Sequence, residues 1–184
     1  MVRYRTWFAL LFIAISISLV RYNPDRAGLS FLFVGPGETL RVWAAGYLYK
    51  GQMCTGGPYS FVRNPMYVGS VLVVTGLCMI AGSLWIWLLA VVYFTIFCLP
   101  AMEYEEKTLR EKFPVTFQYY SAQVPLLYPT LRSYQYFGPG FSRKQLLRNK
   151  EHLVILAITL VYAFLGIRYS DRDLLTILRQ ELAF

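Results

Sequence analysis

Residues 64–102 contain no charged side chain, an uninterrupted stretch of 39. A helix that crosses a bilayer needs roughly 20 residues, so this stretch accommodates two apolar helices joined by a tight turn. Gly82-Ser83 is the natural break, and it predicts helices over 66–82 and 84–102. Trp85 and Trp87 then fall just past the turn, where amphipathic rings settle between lipid and water. Composition agrees: 57% of residues are hydrophobic and 15% charged, against roughly a quarter charged in soluble domains. The chain cannot cover a globule of its own with polar side chains. Disorder, a collagen repeat and a secreted disulfide scaffold are excluded by the same composition.

Three further runs complete the pattern. Residues 153–167 are apolar and bounded by Glu151 and Arg168; the run is slightly short for a span, so the bilayer thins or flanking side chains snorkel. Residues 7–20 follow Arg3 and Arg5 and read as a span or, alternatively, as a leader with a weak small-x-small cleavage site at Ser16-Ile17-Ser18. Residues 27–48 are interrupted by Glu38 and Arg41, which stand three apart on a helix and can pair, lowering the cost of inserting both. The expected fold is therefore all-α and polytopic, with about five transmembrane helices. With the N-terminus inside, 13 of the 18 Lys and Arg residues lie on the cytoplasmic side and 5 outside. That is the orientation the positive-inside rule favours. Residues 49–65 and 103–150, which carry most of the polar chemistry, then both face the cytoplasm. No repeat or linker divides residues 1–184, so one membrane domain is expected.

The net charge of +8 sits between apolar runs, where anionic headgroups are a simpler partner than nucleic acid. Cys54, Cys78 and Cys98 form no C-x-x-C pair, and His152 is the sole histidine. No zinc cluster, disulfide framework or multi-histidine metal site is expected.

Three segments carry polar chemistry. In the first, residues 55–69, Asn64 is placed to cap a helix that Pro65 begins. The free N–H groups of that helix start, beside Arg63, either form an anion site or do no more than cap a span. The second is Glu103-Tyr104-Glu105-Glu106 at the exit of the 84–102 run, where a charged helix over 103–113 is expected to begin. These carboxylates could complement a helix dipole, or hold a cation, an amino group or ribose hydroxyls. In the third, Phe113, Phe117, Tyr120 and Val124-Pro125 share one helical face, which by itself reads as an amphipathic helix lying on the membrane. Tyr119, Tyr120, Tyr128, Tyr134 and Tyr136 suit such an interfacial surface.

Taken in order, these segments resemble the integral-membrane methyltransferases, a superfamily that includes isoprenylcysteine carboxyl methyltransferases and phospholipid N-methyltransferases. The matching residues are Gly57, Tyr59, Arg63, Asn64, Pro65, Tyr67 and Gly69, an apolar hairpin, then Glu105, Glu106, Leu109, Phe113, Phe117, Tyr120, Val124 and Pro125. The preceding Leu40-Arg41-Val42-Trp43-Ala44 also looks like the family's upstream helix. The motif-bearing core covers about 35–129, leaving an additional helix at about 152–168 without a role. Three positions depart from the carboxyl methyltransferase pattern: Asn64 replaces a histidine, Pro114 a glycine, and Gln123 a basic residue.

The resemblance implies S-adenosylmethionine bound on the cytoplasmic side. It implies a pocket walled by Gly57, Tyr59, Arg63, Asn64, Pro65 and Tyr67 on one side and Glu105 and Glu106 on the other. Arg63, Asn64 and Glu106 are the catalytic candidates. The substrate is a lipid-like or prenylated molecule entering from the bilayer. A carboxylate acceptor is already ionised at neutral pH, whereas a lipid ammonium must first lose a proton to a base. With Glu105 and Glu106 occupied by the cofactor, no base is evident, which favours carboxyl O-methylation of the isoprenylcysteine type. Asn64 points instead to phospholipid N-methylation, the alternative. A non-catalytic membrane scaffold is the reading from another class. A transporter is disfavoured, since no charge lies inside the 64–102 hairpin to handle an ion.

Overall fold

The computed structural model describes residues 24–49, 51–135 and 139–181, which form helices and connecting loops, with no strand among the described residues. The expected span over 7–20, with the alternative of a cleaved leader there, lies outside the described residues.

Helix α1, Pro24–Tyr47, occupies the centre of the bundle. It packs along α2, Pro65–Ala81, through a seam of small residues. A Cβ added to Gly37 would stand 2.8 Å from the Gly69 carbonyl oxygen, and one added to Gly69 would stand 2.7 Å from that of Gly37. Only glycine at both positions lets the two backbones approach this closely. The motif residue Gly69 is thereby explained by helix packing.

Gly82 ends α2 in the left-handed conformation, its N–H bonded to the Cys78 carbonyl at 3.1 Å, so the turn falls at the expected place. Beyond the turn, the apolar helix expected over 84–102 and the charged helix expected over 103–113 are one: α3 runs over Leu84–Lys112, 29 residues. Its one irregularity is a wide turn at Phe94–Cys98. Pro100, which lacks an N–H and crowds the carbonyl four residues before it, accounts for that slip in hydrogen bonding. Among the described residues α3 is the one helix long and apolar enough to cross a membrane; Pro65–Ala81 and Glu151–Leu165 are apolar but shorter.

Phe113, with φ −134°, breaks the rod, and Pro114 opens α4, Pro114–Gln123. The membrane-surface reading of this helix is not upheld. Phe117, Tyr120 and Val124 are buried to 2%, 3% and 1% exposure inside the protein, while Val115 and Tyr119 form the open face. The tyrosines divide likewise: Tyr119 and Tyr128 are exposed, Tyr120 stacks edge-on against Tyr134, and Tyr136 is outside the described residues. Arg143–Arg148 forms α5, and α6 runs over Glu151–Glu181, 31 residues and well beyond the expected boundary at Arg168, while its apolar part, Glu151–Leu165, stays short. The α6 helix returns antiparallel along α1, with Ser30 and Tyr162 hydrogen-bonded at 2.7 Å and the Phe31 and Tyr162 rings 4.5 Å apart.

The two polar segments meet at one end of the bundle. Thr130 N–H donates to the Phe61 carbonyl at 2.8 Å, Tyr134 N–H to Ser60 at 3.0 Å, and Ser142 N–H to Gly46 at 3.0 Å. The Asn149 amide donates to the carbonyls of Ala45 and Leu48 at 2.9 and 3.0 Å, satisfying acceptors left open at the end of α1.

Candidate functional site

The site is built where the loop before α2 meets the charged half of α3 and the extended tail after α4. Gly57 has φ +59°, and a Cβ there would meet the Tyr47 ring at 2.6 Å, so glycine is required twice over. It starts a short 3₁₀ turn, Gly57–Ser60, closed by the Ser60 hydroxyl donating to the Gly57 carbonyl at 2.7 Å. That turn buries Tyr59, whose carbonyl accepts a 2.6 Å hydrogen bond from the Tyr120 hydroxyl. Two loop-to-loop bonds extend the junction: Arg63 N–H to Pro125 at 2.8 Å and Asn64 N–H to Leu126 at 3.2 Å. The predicted Val124-Pro125 element therefore holds the Arg63-Asn64 element in register.

The side chains above this junction pair across it. Arg63 Nη1 lies 2.9 Å from Glu106 Oε1, with the two side chains 16% and 22% exposed. The Tyr67 hydroxyl donates to Glu105 Oε1 at 3.2 Å. Two predicted walls of one pocket are thus in direct contact. Glu103, Glu106, Lys107 and Arg110 line an open depression of about 210 Å³ beside them.

Two sequence expectations need correction. Glu103, Glu105 and Glu106 sit in the interior of α3, far from its start, so they do not cap a helix or complement its dipole. The start of α2 is also not an open anion site. Pro65 has no N–H, Tyr67 and Val68 donate to the Asn64 carbonyl, both at 3.1 Å, and the N–H groups of Arg63 and Asn64 are taken by the tail. Asn64 occupies the cap position, but its side chain makes no capping bond. Its Nδ2, like Arg63 Nε, is instead buried with no hydrogen-bond partner among the described residues.

A second polar cluster lies one level deeper. Arg41 on α1 reaches Glu151 at 2.6 Å, Glu38 at 3.5 Å and the Ser70 hydroxyl on α2. The expected Glu38–Arg41 pair exists, yet the closer partner is Glu151, whose side chain is only 2% exposed. In the sequence Glu151 reads only as the boundary of an apolar run; no local signal ties it to Arg41. Tyr59 lies within electrostatic reach of both levels. Burial pushes its phenol well above the ordinary range, with Cys54, Tyr120, Glu105 and Glu151 near enough to add to the shift. Burial likewise raises the Tyr120 phenol, partly offset by Arg63. Among the described residues no three His, Cys, Asp or Glu side chains converge as metal ligands.

Comparison with known proteins places this geometry. Among curated proteins, the chain is similar to the cobalt-zinc-cadmium resistance protein CzcN of Cupriavidus metallidurans, 28% identical over 116 residues, 61% of this chain and 53% of that protein. It thus spans about half the length of that relative. No solved structure matches. Residues 4–115 match the family described as phospholipid methyltransferase, and this region includes the Arg63-Asn64-Pro65 and Glu105-Glu106 elements. That match covers more than half of the chain, and the chain belongs to the phospholipid methyltransferase family.

Proposed function

We propose that this protein transfers a methyl group from S-adenosylmethionine to a lipid-like acceptor held in the bilayer, within a single five-span membrane domain whose cofactor site faces the cytoplasm. The contact of Arg63 with Glu106 and of Tyr67 with Glu105 carries the reading, because it joins residues the family resemblance assigns to one pocket. The residues present suit such a cofactor. Arg63 Nε and Asn64 Nδ2 are buried donors with no hydrogen-bond partner among the described residues, which suits a carboxylate or a heteroatom acceptor. Glu105 and Glu106 suit an amino group or ribose hydroxyls, and Gly57, Tyr59 and Pro65 shape the floor beneath them. Bound there, the cofactor supplies an electrophilic methyl carbon on a sulfonium sulfur. The chain's part is to hold the donor at the pocket wall, exclude water and admit the acceptor from the lipid side.

Two acceptors fit this reading: an isoprenylcysteine-type carboxylate, which needs no base, and a phospholipid amine, which does. The carboxylate is favoured where Glu105 and Glu106 are taken by the cofactor, which leaves no evident base for an amine. Isothermal titration of the purified full-length protein with S-adenosylhomocysteine tests the cofactor site; no heat of binding from a folded sample defeats it. Methyl-labelled cofactor then sorts the acceptors. Label released as methanol by mild alkali identifies an ester, and alkali-stable label in an extracted headgroup identifies an amine.

A further inference from the structure

The chain carries no Asp or Glu from residue 112 to residue 150, a stretch of 39 residues that holds six of its cations. Four of them gather at the elbow between α5 and α6. Arg143, Lys144, Arg148 and Lys150 are all exposed, and none forms an ion pair among the described residues. The carboxylate next in sequence, Glu151, is buried and turned inward to Arg41. Arg143 with Leu147 and Lys144 with Arg148 stand four apart, so α5 turns one face outward with like charges side by side. Like charges at that spacing repel, and an anion lying against them removes the cost. Lys150 adds its charge from a left-handed turn, φ +60°, a conformation that glycine adopts with less strain. The face is held in place, because Ser142 N–H and the Asn149 amide tie both ends of α5 to the end of α1.

A second, independent observation shows what kind of anion fits. Just past the elbow, Leu153, Leu156, Leu160, Phe164 and Ile167 are exposed, and their spacings of 3, 4, 4 and 3 draw one apolar stripe along α6. Lys150 precedes the first of them by three residues. A charged patch and an apolar stripe therefore meet end to end, as the phosphate and acyl chains of a phospholipid do. A nucleic acid or a free phosphate would use the cations and leave the stripe bare. An apolar segment of another protein would cover the stripe and leave the cations unbalanced.

We infer that the α5–α6 elbow seats a phospholipid with an anionic headgroup: Arg143, Lys144, Arg148 and Lys150 hold the headgroup, and the α6 stripe receives an acyl chain. The lipid is a bound partner and not a reactant. No residue of the candidate site takes part, so the inference stands apart from the methyl-transfer reading. A lipid seated there anchors α5 and, through the bonds from Ser142 and Asn149, the end of α1, where the Tyr47 ring lies against Gly57. Each cation at an anionic surface is worth roughly fivefold in affinity. Two engaged together give about 25-fold, enough to separate an anionic lipid from a neutral one with the same chains.

The test is native mass spectrometry of the full-length protein in neutral detergent, titrated with dioleoylphosphatidylglycerol or with dioleoylphosphatidylcholine. Phosphatidylglycerol is expected to bind about tenfold or more the tighter. The double variant Arg148→Gln, Lys150→Gln should lose about 10- to 25-fold of that affinity and keep phosphatidylcholine within about twofold. Should it not fold, Arg143→Gln, Lys144→Gln removes the same charge and carries the same expectation. The control Lys112→Gln, Arg132→Gln removes two exposed cations elsewhere and should leave phosphatidylglycerol within about twofold. Leu156→Asn, Leu160→Asn should weaken both lipids, since the acyl chain loses its seat. Equal affinity for the two lipids overturns the inference, and so does a control variant that loses as much as the elbow variant. Glycerol 3-phosphate bound as tightly as the lipid overturns it by giving the face to a soluble anion. A uridine oligonucleotide bound more tightly than phosphatidylglycerol through Arg148 and Lys150 gives it to nucleic acid. A dimer mass that vanishes in Leu156→Asn, Leu160→Asn without any lipid preference gives it to a second copy of the chain.

Discussion

Substituting Glu106→Gln separates the ion pair that the structure shows from the cofactor contact proposed for the same side chain. The pair with Arg63 is 2.9 Å long and mostly buried. A hydrogen bond between charged partners contributes about 1.5–3 kcal/mol. Removing the carboxylate charge should therefore lower stability by about that amount, which for a chain of this size corresponds to roughly 3–12 °C in melting temperature. If the same carboxylate also holds the cofactor, S-adenosylhomocysteine affinity should fall about 10- to 100-fold. The double variant Arg63→Gln, Glu106→Gln removes both charges, leaving neither stranded, so part of the lost stability should return. Affinity should not return, because the proposed site uses both residues. Thermal unfolding and isothermal titration of the three variants read the two effects independently. Unchanged affinity in a folded Glu106→Gln protein, or affinity that recovers in step with melting temperature in the double variant, would show that Glu106 is only a structural partner of Arg63.

Topology and single contacts set the other expectations. A cysteine near Lys144 should be shielded in intact cells from a membrane-impermeant thiol reagent while one near Arg172 reacts; the reverse pattern would invert the topology. Gly37→Val must push apart α1 and α2 where the Gly69 carbonyl stands 2.8 Å away, and should cost about 1–3 kcal/mol, measured by thermal unfolding. An unaltered melting temperature would mean the seam is looser than described. Tyr120→Phe strands the buried Tyr59 carbonyl and should cost about 1–3 kcal/mol, with proteolysis at residues 57–63 faster than in the wild type. Equal proteolysis rates would deny that this bond ties the two segments together.

The apolar hairpin, its turn at Gly82 and the meeting of the two polar segments at one end were legible in the sequence because each depends on local pattern: hydrophobic runs, a glycine at a turn, a proline at a helix start. The pairing of Arg63 with Glu106 was legible only through ordered motifs, since nothing in the spacing of two residues separated by a hairpin states a distance. Three things were not legible. That the helices expected over 84–102 and 103–113 form one rod was hidden because charge marks where an apolar run ends, whereas helix propensity ignores that boundary until Phe113-Pro114. The spent N–H groups at the start of α2 depend on backbone contacts from Pro125 and Leu126, which no side-chain pattern encodes. Glu151 finds Arg41 only because α6 folds back along α1, and long-range pairing of that kind leaves no periodic trace.

The unbroken course of α3 makes it a lever. It pivots at the Gly82-Ser83 turn, and Glu106 lies 22 residues beyond its first residue, roughly 33 Å along the axis at 1.5 Å per residue. A rotation of only about 3° about that pivot would carry the Glu105 and Glu106 carboxylates roughly 1.7 Å at this helical rise, more than the hydrogen bond from Tyr67 to Glu105 tolerates and enough to open the ion pair of Glu106 with Arg63. The lever's first half exposes Leu84, Trp85, Leu88, Val91 and Ile96 on its surface, and helices that span a bilayer answer a change in its thickness by changing tilt. On the proposed reading, the grip on the cofactor is mechanically coupled to the membrane: S-adenosylhomocysteine affinity should pass through an optimum as nanodisc acyl chains are lengthened, and a flat response would mean the pivot is locked.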